Sequence, residues 1–172
     1  LRKGSAPGVD GVGVAADSRD LGSKREGLLE RAKSGSYRAP PVMRKRIPKN
    51  EDEFRAIGIP TVEDKVLQRA VTMVLEPVYE QEFNDCSYGF RPKRSPHQAL
   101  DAVREAIREI DGGWVLDVDI KAFFDTIRHD RLREMLRKRI KDQVILRLLG
   151  KWLKAGVMED GSFHSATGEG TP

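Results

Sequence analysis

The 172-residue sequence predicts an α+β fold. Three observations lead there. Apolar residues recur at helical spacing in several separate stretches, as in Val66, Leu67, Ala70, Val71, Val74 and Leu75. Two extended runs, Val42 to Pro48 and Phe54 to Ile59, flank the polar turn Lys49-Asn50-Glu51-Asp52-Glu53, which is the pattern of a β-hairpin. A third run, Trp114 to Ile120, alternates as a strand does: Trp114, Leu116, Val118 and Ile120 share one face, Val115, Asp117 and Asp119 the other.

The elements follow in order. Leu1 to Gly13 is Gly-rich without apolar period and reads as a loop. Leu21 to Lys33 carries Leu28, Leu29 and Ala32 at helical spacing, with Gly35 as the stop. Arg38-Ala39-Pro40-Pro41 leads into the hairpin. Thr61 caps the next helix, whose first turn holds Glu63 and Asp64 where the helix dipole favours acids; Pro77 marks its end or a kink. Its apolar stripe is expected to be core. Ser95-Pro96-His97-Gln98 is a capping box that launches a helix from Gln98 to Ile110. After the turn Asp111-Gly112-Gly113 and the alternating run come two helices, His129 to Ile140 and Asp142 to Ala155. Their expected core residues are Leu132, Met135 and Leu136 on one, and Val144, Ile145, Leu148, Leu149 and Trp152 on the other. Val157 to Phe163 forms a second hairpin turned at Asp160-Gly161.

Composition narrows the class. An apolar share of 38% can build a core, charged residues at 34% demand a large solvated surface, and the length suits one domain or two small lobes. The net charge of +4 is a moderate basic bias, compatible with nucleic acid without requiring it. Its distribution is more telling: Arg44-Lys45-Arg46 with Lys49, then Arg91, Lys93 and Arg94, then Arg137-Lys138-Arg139 with Lys141, form local islands. Cys86 stands alone and the three His residues are scattered, which excludes an intrachain disulfide, argues against zinc and points to a reducing compartment. No apolar run is long enough to span a bilayer and the amino terminus has no signal-peptide core. The expectation is a cytoplasmic protein, of a bacterium or an organelle interior, with no membrane partner.

Chemistry is expected at the alternating run. Carboxylates at the end of a buried strand are costly unless solvated, paired or bound to a cation. Hard oxygen ligands suit Mg²⁺, which takes one or two protein carboxylates and completes its shell with water and substrate phosphates. Asp117 and Asp119 lining the wet face of a half-exposed strand is the plainer reading. The loop Ser87 to Ser95 mixes aromatics with cations, as a surface for a nucleic-acid strand does; Tyr88 and Phe90 could equally sit in the core.

Several strings, in order along nearly the whole chain, resemble the reverse transcriptases encoded by group II introns. They are Ser5-Ala6-Pro7-Gly8-Val9-Asp10-Gly11, the hairpin with Ile47-Pro48-Lys49 and Arg55-Ala56-Ile57-Gly58-Ile59-Pro60, the run from Gly58 to Glu80, Ser87-Tyr88-Gly89-Phe90-Arg91-Pro92, and Asp119-Ile120-Lys121 through Phe124-Asp125 to Ile127-Arg128-His129. The last string is similar also to diguanylate cyclases, but the Gly-Gly-Asp/Glu-Glu-Phe turn of that family does not occur.

The resemblance implies a right-hand polymerase, with an N-terminal extension at 1–13, fingers at 14–112 and the first part of a palm at 113–172. It implies that Asp119 is catalytic and binds metal, with the Ile120 carbonyl assisting, and that the cation is Mg²⁺, with Mn²⁺ as a substitute. Lys49 and Arg55 would grip the incoming triphosphate, and Phe123 or Phe124 would screen its sugar. Arg44, Arg46, Arg91, Lys93 and Arg94 would contact RNA, and His97 would be structural. The implied partners are template or intron RNA, a DNA primer and a deoxynucleotide, with splicing and mobility roles; a homodimer is compatible. In this family the palm continues to a Tyr-x-Asp-Asp box, which the sequence does not reach, so the 172 residues alone are expected to lack polymerase activity. The alternative is a non-catalytic RNA-binding module of the same descent.

Overall fold

The computed structural model describes residues 4–14, 21–50, 53–110 and 113–172. The expected turn residues Glu51, Asp52, Asp111 and Gly112 lie outside them. The fold is α+β. Its elements are α1 (Leu21–Ser34), β1 (Val42–Pro48), β2 (Phe54–Ile59), α2 (Val62–Glu80), α3 (Pro96–Glu109), a 3-10 turn (Phe123–Asp125), α4 (His129–Arg139), α5 (Gln143–Leu153), β3 (Val157–Glu159) and β4 (Ser162–His164). They fall into two compact units, residues 1–71 with 122–172, and residues 72–121. No described helix is long and apolar enough to cross a membrane.

In the first unit, a four-stranded sheet runs in the order β2-β1-β3-β4. The β1–β2 hairpin is antiparallel from Met43↔Ile59 to Pro48↔Phe54, and its mouth is closed by Lys49 N–H donating to the Glu53 carbonyl at 2.8 Å. The second hairpin joins the first through a parallel pairing, Val42↔Val157 and Met43↔Met158. It turns at Asp160 and Gly161, whose φ values of +47° and +80° are those of the primed turn that Asp-Gly favours.

The core of this unit is built around Tyr37, which is fully buried. Leu28, Ala32, Val62, Leu67, Val71, Ile140, Leu148 and Val157 are buried as well. Tyr37 Oη donates to Asp64 and accepts from Trp152 Nε1 at 3.0 Å, so the loop after α1, the start of α2 and the end of α5 share one hydrogen-bonded knot. Thr61 Oγ1 caps α2 by accepting from Asp64 N–H at 3.2 Å. Asp142 Oδ1 caps α5, accepting from Val144 and Ile145 N–H at 2.7 and 2.9 Å.

The amino-terminal segment is tied down. Lys65 Nζ donates to Ser5 Oγ at 3.2 Å and to the Ala6 carbonyl at 2.5 Å. A Cβ on Gly8 would stand 2.6 Å from Thr61 N, so only glycine lets this backbone lie against the start of α2.

In the unit 72–121, α3 has its expected capping box: Ser95 Oγ accepts from Gln98 N–H at 3.3 Å, and Gln98 Oε1 accepts from Ser95 N–H at 2.8 Å. Pro77 does not end α2, which continues to Glu80 because the N–H that proline lacks is lost only in the final turn.

Two expectations are corrected. Trp114 to Ile120 is not a strand; Trp114, Val115, Leu116, Val118 and Ile120 are all exposed, Trp114 fully. Alternation prepares a segment for a sheet, but a strand exists only where a neighbour satisfies its N–H and C=O groups, and none of the four strands pairs with this one. The apolar stripes are also only partly core. Leu29, Val66, Val74 and Met135 are exposed, and α3 buries no residue. Helical spacing puts apolar side chains on one face; burial needs something to cover that face.

Candidate nucleotide and nucleic-acid site

The residues expected to act on nucleotide are divided between the two units: Asp119 and Ile120 belong to 72–121, and Lys49, Arg55, Phe123 and Phe124 to the other. The Asp119 carboxylate is exposed and makes no ion pair with any described residue. It is not turned against an arginine. As a hard oxygen donor beside the Ile120 carbonyl in sequence, it fits the first coordination shell of Mg²⁺ as one ligand. Among the described residues no three His, Cys, Asp or Glu side chains cluster as a metal site, so Asp119 is a partial donor set.

Phe123 and Phe124 form the 3-10 turn that follows, entered through Ala122 in the left-handed region. Their rings pack edge to face, 5.3 Å between centroids at 72°, and both keep about half or more of their surface open. Behind this shelf the chain is locked. His129 Nε2 lies 2.6 Å from the Gly170 carbonyl, Gly170 N–H donates to Ile127 and Thr171 N–H to Phe124. His129 is buried, so it holds residues 168–171 against 124–129.

On the hairpin, Lys49 Nζ contacts Glu53 at 2.8 Å, and this ammonium draws the Glu53 carboxyl below its usual range. Arg55 stands opposite Ile47 in the β1–β2 register and makes no ion pair with a described residue. Arg44 and Arg46 both reach Glu159 on β3, at 3.6 and 2.8 Å. The parallel register explains this, since the position after Met43↔Met158 sets Arg44 beside Glu159. Hydrogen bonding from Arg46 holds the Glu159 carboxyl below its usual range.

Arg91 is spent on its own loop. Its side chain is 5% exposed, forks onto Glu80, donates to the Asn84 and Ser87 carbonyls at 2.8 Å each, and lies over the Phe83 ring. It therefore positions the loop, while Lys93 is exposed and Arg94 rests on Tyr88 with a long contact to Asp85. Phe90 is fully exposed at φ +56°, and Lys93 has φ +60°. Two non-glycine residues held in the left-handed region turn a bare ring outward beside cations. The aromatic-cation composition had flagged this loop but left the ring's direction open.

A hairpin bearing cations and an aromatic pair in one unit, and an exposed carboxylate and a loop that offers a ring and two cations in the other, are chemically suited to phosphate and nucleic acid. The sequence model described as reverse transcriptase (RNA-dependent DNA polymerase) matches residues 47–172, and this chain belongs to that family. It is 40% identical over 172 residues to the group II intron-encoded protein LtrA of Lactococcus lactis subsp. cremoris, covering 98% of this chain and 28% of that one. It is 39% identical over 169 residues to protein YkfC of Escherichia coli strain K12, covering 96% of this chain and 44% of the relative. Nuclear intron maturase 1 of Arabidopsis thaliana is 32% identical over 95 residues, or 55% of this chain and 13% of the relative. The chain thus spans less than half the length of these curated relatives.

Proposed function

We propose that the chain forms the fingers (14–112, after an extension at 1–13) and the first palm segment (113–172) of a group II intron-type RNA-directed DNA polymerase, working on an RNA template, a DNA primer and deoxynucleotides. The observation that carries this is Asp119, an exposed carboxylate without an ion-pair partner among the described residues, within the span matching the reverse transcriptase family. Asp119 with the Ile120 carbonyl would hold Mg²⁺, or Mn²⁺ in its place, together with carboxylates from elsewhere in the whole protein, since two cations about 4 Å apart need more than one acidic ligand. The bound cation would make an inner phosphate of the nucleotide more open to a primer hydroxyl. Lys49 and Arg55 would neutralise the polyphosphate, Lys49 after exchanging Glu53 for phosphate oxygens. The Phe123–Phe124 shelf would pack against the sugar. Lys93, Arg94 and Phe90 would receive the template or primer strand, with Arg91 holding their loop and Arg44 and Arg46 contributing when released from Glu159. Likeness to intron-encoded proteins supports roles in intron splicing and mobility.

The test is Asp119→Ala in the full-length polymerase. Template-dependent incorporation should fall on the order of 10³-fold, since a lost charge-stabilising group costs this much, while RNA affinity stays as it was. Retained synthesis rejects the assignment. The second reading is a non-catalytic RNA-binding module, favoured by the ring and cations of the Ser87–Ser95 loop; a full-length wild type that binds RNA but never extends a primer would establish it. Arg55→Ala should raise the KM for nucleotide about tenfold with RNA binding intact, as expected for loss of one charge-assisted phosphate contact.

A further inference from the structure

Within the unit 1–71 and 122–172 lies an open cavity of about 530 Å³, to which the basic island at 137–141 contributes only Arg137. Six of its lining residues are cationic, Arg38, Arg133, Arg137, Arg147, Lys151 and Lys154, and none is acidic. Helical geometry makes this convergence. Arg133 and Arg137 are four apart on α4, and Arg147 and Lys151 on α5 with Lys154, the residue that caps it, fall at i, i+4 and i+7, so each set shares a face.

The cations divide into a fixed floor and a free rim. Arg147 Nη2 donates to the last carbonyls of α1, Ala32 at 3.2 Å and Lys33 at 2.9 Å, while its enclosed Nε has no partner. Lys151 Nζ donates to the Gly35 carbonyl at 2.6 Å and to that of Tyr37. These bonds go to neutral carbonyls, so the positive charge of both groups is left standing. The rim cations Arg38, Arg133, Arg137 and Lys154 are exposed and have no ion pair among the described residues. Such a field without a counter-charge is an unmet demand for anions.

From this we infer that the α4–α5 cavity is a second nucleic-acid contact, which takes the phosphodiester backbone of an RNA strand without reading its bases. The inference rests on the proposed RNA partnership. The cavity has cations in two rows, the α5 row about 10 Å long at the helical rise, which suits successive phosphates better than one compact anion. It lacks the means to read a base: Tyr37 is fully buried with its hydroxyl committed, and Gln143 is the only neutral amide in the lining.

The test uses this chain with a fluorescein-labelled oligouridylate. In Arg133→Gln/Arg137→Gln/Lys154→Gln the slope of log affinity against log salt should flatten by about 2, at about 0.7 per phosphate contact on a single strand, with a loss of at least about tenfold near 0.1 M salt. A charge-matched control, Arg69→Gln/Arg104→Gln/Arg108→Gln, should change the slope by less than half as much, and Arg133→Lys/Arg137→Lys/Lys154→Arg should restore binding. Equal effects of the two glutamine triples overturn the inference. So does displacement of the labelled strand by inorganic tripolyphosphate or polyglutamate as effective as by unlabelled RNA, because those outcomes assign the cavity to a free polyphosphate or an acidic protein. Asp119→Ala in the full-length polymerase reads the other proposal separately: loss of synthesis with an unaffected cavity triple rejects the cavity alone, and the reverse pattern rejects the polymerase assignment alone.

Discussion

Residues 1–71 with 122–172 contain every buried residue among those described, whereas 72–121 contains none. Both regions have amphipathic helices and alternating apolar runs, so the difference is one of cover rather than of sequence quality. In the first region α1, α5 and the start of α2 converge on Tyr37 and bury Leu28, Ala32, Val62, Leu67 and Leu148. In the second, Leu100, Val103, Ile107 and Ile110 on or beside α3 and Trp114 to Ile120 present their apolar faces to solvent. A packed framework supports a fixed cationic cavity; an uncovered segment carries the carboxylate. The contrast is therefore between a buried framework at 1–71 with 122–172 and an exposed stretch that bears Asp119.

The sharpest check on this contrast is amide hydrogen exchange of the 172-residue chain. The amides of β1 that pair with β2 and β3 should exchange at least about 10³-fold more slowly than those of residues 114–120, which open at almost no free-energy cost. Comparable protection in the two would erase the contrast. Truncation should separate the regions next. Leu148→Ala, in the packed core, should cost about 2–4 kcal/mol, while Leu116→Ala, already exposed, should stay within about 0.5 kcal/mol, both read by urea unfolding.

Asp64 makes the comparison depend on pH. Burial pushes its carboxyl from 3.8 up to about 7, against the opposing effect of hydrogen bonding from Trp152. A raised carboxyl means that the folded state keeps a proton the unfolded chain releases. Stability is therefore unpenalised below about pH 4, falls as pH rises from about 4 to about 7, and is level above that, a total loss on the order of 2–4 kcal/mol. Asp64→Asn should abolish this slope while leaving Tyr37 a side-chain acceptor. Urea midpoints measured across the window decide it, and a wild type whose stability rises between pH 4 and 7 at this site contradicts the burial argument.

Much of this was legible beforehand for local reasons. Caps, turns and hairpins are written in neighbouring residues, and so Ser95 with Gln98, Asp160-Gly161 and both hairpins appear where the sequence puts them. The exposure of Trp114 to Ile120 was not legible, because alternation records which face is apolar but not whether a partner strand is there to pair. Nor was the α4–α5 cavity. Its cations come at helical intervals among acids and apolar residues, so along the chain they look dispersed, and of the basic island at 137–141 only Arg137 lines it. Runs of adjacent cations were the visible signal, yet Arg44 and Arg46 proved to be paired with Glu159 and Arg91 with Glu80.

That last point gives the smallest and most discriminating prediction. Glu159 occupies Arg44 and Arg46 together, and hydrogen bonding from Arg46 holds its carboxyl below the usual range. In Glu159→Gln the two guanidiniums lose their counter-charge but keep their positions on β1, so phosphate becomes their best remaining partner. RNA affinity should rise about two- to fivefold at low salt and the salt slope should steepen by about 1. The same substitution in the α4–α5 cavity triple should yield the same increment, because charges on separate elements act additively on a flexible strand. An unchanged slope would mean that β1 faces away from the nucleic acid, leaving the cavity cations and the Lys93–Arg94 loop as the basic surfaces available to it.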